Sequence, residues 1–267
     1  MKIQEVGDRV FTLHFDFYDQ QIGVVLGGSD VMVIDTRSTP VQAREIVAGI
    51  RELTRDPVSI VVDTHWHYDH TFGNSVFRPA SIWGHVRAAE RLRRDGLATI
   101  AEIAAELPAL AADVVDVQID PPEHTFEDSA TVAVGDRVVE LSYHGRAHTD
   151  GDIAVVVPDA NVLFGGDLIE EGSPPSFGDS FPIDWPGTVE RLLPLATGAV
   201  VPGHGKVGDR AFLEAQITAF RGLAALARDV YTGNRTIDEA IAESPFGPRT
   251  PADAFERALR QLRGEQD

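Results

Sequence analysis

Five of the nine histidines fall in three short stretches, each beside an aspartate or in a glycine-rich turn. His65, His67 and His70 share a hexapeptide with Asp69. His148 lies in the segment 145–152, and His204 in Pro202-Gly203-His204-Gly205. Asp167 follows Gly165-Gly166. Imidazole and carboxylate in this concentration are metal-ligand chemistry, suited to zinc and also to iron or manganese. In an extended segment His65 and His67 point the same way, so one ion can take both. Asp69 and His70 follow where the chain turns and can face a second ion close by. Two divalent ions ~3.5–4 Å apart need an anion between them. Asp167 can supply it, together with a shared hydroxide. The chain has no cysteine, which excludes thiolate ligands and disulfides.

Ligands of this kind need a rigid frame that stays open to solvent, and strand ends provide one. Short β-rich runs at Val10–Phe15, 22–26 and Val31–Ile34 are separated by turn signals. A helical pattern begins near Pro40, and an apolar run at 59–63 ends directly at the His65 hexapeptide. Helical spacing marks 85–95 and 97–107, with Gly96 and Pro108 as interruptions. Strand-like runs follow at 131–134, 137–142, Ile153–Val157 and 162–164. The pattern predicts a helix over 186–195, a strand over 199–201 and a long amphipathic helix over 209–230. Shorter helices are expected near 237–243 and 252–262. No linker or repeat divides these elements, so residues 1–267 are read as a single α/β domain in layers, helices outside and sheets inside.

Composition bounds the function. The 267 residues are 43% hydrophobic, enough for a sizeable core, yet no apolar run reaches membrane-span length. The net charge of -19 repels a phosphate backbone, so neither nucleic acid nor membrane is expected as a partner. The first fifteen residues hold no apolar signal core, which points to a cytoplasmic protein.

The ordered set His65-x-His67-x-Asp69-His70, His148, Asp167 and His204 resembles the metallo-β-lactamase-fold superfamily over about residues 20 to 206. The resemblance implies a four-layer αββα sandwich with mixed sheets. It implies that His65, His67 and His148 bind a first zinc, that Asp69, His70 and His204 bind a second, and that Asp167 bridges them. The glyoxalase II-like and lactonase-like branch is the one resembled most, because zinc β-lactamases do not use that bridging Asp. It further implies a residue that orients a ligand histidine, here Asp35. Two positions depart from the pattern. Asp152 stands where the family often has a second histidine, and 211–267 offers no clear counterpart to the basic tail that holds glutathione.

A zinc-dependent hydrolase follows as the expectation. A metal-bound hydroxide would attack the carbonyl carbon of an ester, thioester, lactone or amide in a small molecule, with Asp69 accepting a proton. β-Lactam hydrolysis and a mono-iron, persulfide dioxygenase-like oxidation are the rival readings. The segment 171–186 leaves directly from Asp167 and carries Phe177, Phe181 and Trp185, which are expected to form an apolar substrate wall. If they do not, the wall falls to the helical stretch 85–107. Arg146 is read as an ion-pair residue, with contact to a substrate anion as the alternative.

Overall fold

The computed structural model describes residues 1–247 and 249–265. The first half runs β1 (Lys2–Gly7), β2 (Val10–Phe15), β3 (Gln20–Leu26), β4 (Val31–Ile34), α1 (Pro40–Leu53), β5 (Val58–Val62), α2 (Tyr68–Thr71), β6 (Ser81–His85), α3 (Val86–Glu106), α4 (Ala111–Val114) and β7 (His124–Phe126). The second runs β8 (Ser129–Val134), β9 (Arg137–Tyr143), β10 (Ile153–Val157), β11 (Val162–Glu170), α5 (Trp185–Glu190), β12 (Ala199–His204), α6 (Arg210–Tyr231), α7 (Ile237–Ala242) and α8 (Ala252–Arg263).

The hydrogen-bonded strand order is β7-β6-β5-β4-β3-β12-β11-β10-β9-β8, with β1 on β2 and β2 on β3. The two halves of this path meet at one register pair, His204 opposite Gln20. Elsewhere they pack face to face. Met32, Ile34 and Val62 of the first half share a core with Leu141, Val155 and Phe164 of the second. Strand periodicity sends alternate residues the other way. Val31 and Val33 therefore pack with Ile46 and Ile50 of α1 on the outer face. Ala154, Val156 and Leu163 likewise meet Leu213, Ile217 and Phe220 of α6. The result is helix, sheet, sheet, helix: the mixed α/β sandwich expected from the sequence.

Several boundaries differ from the sequence reading. Helix α3 runs unbroken through Gly96. That glycine answers a close approach, since a Cβ there would lie 2.8 Å from Ile119 Cδ1. Strand β11 continues six residues past Phe164, whereas the helix expected over 186–195 stops at Glu190. β1, β6 and β7 carried no recognised pattern. Among the described residues no helix is long and apolar enough to cross a membrane.

Candidate metal centre

The candidate ligands sit at or near the ends of regular elements, except Asp167, which lies within β11. Parallel pairing with β4 and β6 fixes β5, and the chain leaves it through Asp63 and Thr64 to His65. His67 is the N-cap residue of α2, whose single turn carries Asp69 and His70. His148 lies in the loop between β9 and β10, where buried Asp152 accepts from the Thr149 backbone N–H at 2.8 Å and from its hydroxyl at 2.6 Å. The departure at position 152 thus leaves a carboxyl that ties down the turn bearing His148. Burial, partly offset by those bonds, pushes Asp152 up to about 7. Asp167 is in β11 and His204 ends β12, next door in the sheet. Gly203 makes that neighbourhood possible, since a Cβ on it would lie 1.9 Å from Asp167 Oδ1.

All seven predicted ligands come together. His65, His67, His148 and Asp167 form one group of donor atoms, and Asp69, His70 and His204 a second, with the atoms of each group within 4.8 Å of one another. In the second group His70 Nε2 stands 3.3 Å from His204 Nε2 and 3.4 Å from Asp69 Oδ2, and His204 Nε2 stands 3.3 Å from Asp69 Oδ2. Ligands ~2.0–2.1 Å from a tetrahedral ion are separated by roughly 3.3–3.4 Å, so these distances fit a small divalent cation. Asp167 lies between the groups. Its Oδ2 is 3.4 Å from His148 Nε2 and 3.7 Å from His65 Nε2, and its Oδ1 is 3.3 Å from His70 Nε2 and 3.4 Å from His204 Nε2.

Polar satisfaction supports the same fit. His65 Nε2 and Asp167 Oδ1 are buried without a hydrogen-bond partner, an expensive condition unless a cation meets them. Burial, then the neighbouring imidazoles, hold His65 well below the ordinary range and His148 at about 4, whereas at His67, His70 and His204 burial is outweighed by the nearby carboxylates, which raise the imidazole. Burial would raise Asp167, but His70, His204 and His65 outweigh it and hold the carboxyl well below its usual range. The donor set is nitrogen and oxygen throughout, as zinc, iron or manganese accepts.

Partners behind the ligands orient them. Asp35, at φ 65, accepts the Thr64 backbone N–H at 2.8 Å and the Thr64 hydroxyl at 2.8 Å, and its Oδ2 faces His70 Nδ1 at 2.8 Å. An Nδ1–H donated to Asp35 directs the His70 Nε2 lone pair into the group. Asp35→Ala is expected to weaken metal affinity by about 10–100-fold. Competition against a chromogenic chelator measures it; unchanged affinity would remove Asp35 from this role. Asp179 does the same for His67, whose Nε2 it meets at 3.0 Å while also accepting from Trp66 Nε1 at 3.1 Å. No sequence signal marked Asp179, which stands 112 residues from His67. Glu170 was missed as well. It is a buried lining residue of the cleft with Oε1 unpartnered, and burial followed by the charge of Asp167 pushes it up to about 8.

The donor groups open into a cleft of about 790 Å³. Its lining includes Tyr18, Trp66 and Tyr68, Ile103 of α3 and Leu107 just after it, and Pro174 and Pro175. The expected aromatic wall needs correction. Phe177, Phe181 and Trp185 do not line the cleft; all three are buried in the protein. Trp185 stacks on Phe220 with centroids 4.5 Å apart, Phe177 tilts against Trp185 at 5.5 Å, and Phe181 lies under the Arg146 guanidinium at 4.4 Å. Apolar rings gain more by filling the layer under α6 than by facing water. The same segment presents its prolines, Ser176, Gly178 and Asp179 to the cleft. The fallback stretch 85–107 does border the cleft, but with a mixed surface: Arg91, Thr99 and Glu102 beside Ile103 and Leu107. Arg146 pairs with Asp184 at 2.7 Å and does not border the cleft.

Comparisons with known proteins agree with this architecture. A family model described as metallo-beta-lactamase superfamily matches residues 16–204. An acyl-coenzyme A thioesterase of Homo sapiens is 29% identical over 231 residues, covering 75% of this chain and 80% of the relative. A metallo-beta-lactamase type 2 of Bacteroides fragilis is 26% identical over 197 residues, covering 72% and 71%. The solved structure of a metallo-beta-lactamase from Pontibacter korlensis shares the fold at a TM-score of 0.66 and 21% identity, covering 82% of this chain and 98% of that one.

Proposed function

The chain belongs to the metallo-β-lactamase superfamily, and from that membership we propose a two-zinc hydrolase that cleaves an ester, thioester, lactone or amide bond in a small molecule. The family and the His/Asp donor groups support a metal-dependent hydrolase. The observation that carries the two-ion reading is the position of Asp167, with one oxygen toward each group of imidazoles.

His65, His67 and His148 would hold one ion, Asp69, His70 and His204 the other, with Asp167 shared between them. Bound divalent ions supply Lewis acidity and lower the pKa of water to near neutrality. The chain's own residues do the rest. Asp69 borders the cleft, and although burial would raise it, His70 and His204 hold it well below the usual carboxylate range. It is therefore an anion at neutral pH and can accept a proton from the attacking water. Ile103, Leu107, Pro174 and Pro175 offer apolar surface to the body of the substrate, with Arg91, Glu102 and Arg249 as charged neighbours in the same cleft. Among the described residues no protein nucleophile is needed for this chemistry.

The test is a panel of thioesters, esters, lactones and β-lactams assayed on zinc-loaded protein with and without chelator. Turnover of at least one acyl substrate, abolished by chelation and restored by zinc, is the expected result. Full turnover in protein shown to be metal-free would refute the reading. β-Lactam hydrolysis stays as a second reading because of the relatives named metallo-beta-lactamase type 2. Preferential cleavage of a chromogenic cephalosporin over every thioester and lactone would select it.

A further inference from the structure

A second groove, of about 600 Å³, shares no lining residue with the metal cleft. Arg87, Arg146 and Arg191 border it, with Tyr143, Gly145 and Asp184. Three arginines and one aspartate line it, in a chain of net charge -19, although Arg87 and Tyr143 also border a neighbouring cavity lined by Glu90, Glu127 and Asp128.

The fold holds each guanidinium in place. Arg87 Nη1 donates to the Tyr143 hydroxyl at 3.2 Å and to the Asp150 carbonyl at 3.3 Å. Arg146 donates through Nε and Nη2 to Asp184 Oδ2 at 3.1 and 2.7 Å. Arg191 donates through Nε to the His144 carbonyl at 2.8 Å and through Nη2 to Thr188 Oγ1 at 3.3 Å. Gly145, at φ 116, leaves the room Arg191 needs, since a Cβ there would lie 2.7 Å from its Nη2. Of the three, Arg146 alone has a carboxylate partner among the described residues. Among the described residues Arg87 Nε and Nη2, Arg146 Nη1 and Arg191 Nη1 carry no hydrogen bond. Arg191 Nη1 lies by Gly187, on the groove wall.

Fixed like charges with spare donors repel one another until an anion enters. The guanidinium fork matches phosphate oxygens two at a time and does so better than an ammonium would. The metal chemistry proposed above uses none of these residues. We propose that this groove binds a phosphate-bearing small molecule, with the phosphate held by Arg87 and Arg191 and flanked by Arg146. Nucleic acid is a poor occupant, because the acidic remainder of the surface would repel a longer phosphate backbone. A free phosphate and a phosphate monoester offer the same charged group and differ in what the rest of the molecule adds.

The test is calorimetric titration of metal-loaded protein with inorganic phosphate, adenosine monophosphate and citrate at low ionic strength. Wild type is compared with Arg87→Gln and Arg191→Gln. Anion binding at the metal centre is common to all three proteins, so the difference reads the groove. Each substitution is expected to weaken phosphate binding tenfold or more while hydrolysis and thermal midpoint stay at wild-type values. Equal affinity for both phosphates assigns the site to the phosphate group alone; tighter nucleotide binding assigns it to the ester. The proposal is overturned if both variants bind as wild type does, if all binding vanishes with the metal, or if citrate binds more tightly than either phosphate.

Discussion

Asp167→Ala is expected to lower kcat/KM by roughly a thousandfold, about 4 kcal/mol of barrier, and to reduce bound zinc from two ions towards one. The carboxylate reaches both donor groups, with Oδ2 3.4 Å from His148 Nε2 and Oδ1 3.3 Å from His70 Nε2. Without it, two cations at ~3.5–4 Å would face each other unshielded in a buried site. The second group then keeps three donors, Asp69, His70 and His204, and loses the anion that offsets its neighbour. Asp167→Asn separates charge from shape. It retains the volume and one lone-pair oxygen but not the negative charge, and the expected loss of turnover is nearly as large. Elemental analysis and kinetics on the same preparations read both effects. Two ions and full turnover in Asp167→Ala would remove Asp167 from the centre of the site.

The second large effect is on stability. Trp185→Ala should cost about 3–5 kcal/mol, the range for deleting a buried large aromatic. Trp185 is fully buried, stacked 4.5 Å from Phe220, and its indole Nε1 donates to the Leu168 carbonyl at 3.0 Å. The substitution leaves a cavity beneath α6 and an unsatisfied carbonyl in β11, the strand that carries Asp167. For a chain of this size the thermal midpoint should drop by about 6–20 °C. The His148 ring lies 5.6 Å away, so metal affinity should fall as well. A residue on a substrate wall would behave differently, raising KM with little change in stability. An unchanged midpoint with a raised KM would return Trp185 to the cleft.

The contrast between these residues shows what a sequence discloses. The metal donors were legible because their chemistry is rare and their local spacing, as in His65, His67, Asp69 and His70, has a geometric meaning. Asp35 came with them through the resemblance. The layered fold followed from strand and helix periods, with errors where glycine misled. Gly165-Gly166 reads as a turn, yet β11 passes through it with a register shift and carries Glu170 into the cleft. Gly96 reads as a break, yet it serves helix packing against Ile119. The loop 171–184 has no period, so nothing in the sequence says which of its side chains face the cleft. Phe177 and Phe181 went inward and Asp179 toward the metal group, the reverse of what composition suggests. Asp179 depends on a contact across 112 residues, which no local pattern encodes.

The central claim is a bridged centre that takes two ions, and stoichiometric reconstitution tests it most directly. Metal-depleted protein would be titrated with zinc while bound metal and turnover of its best acyl substrate are recorded together. The account predicts saturation at two ions per chain, with turnover reaching its maximum only as the second ion binds. Saturation at a single ion, or full activity with one iron accompanied by oxygen uptake, would contradict it.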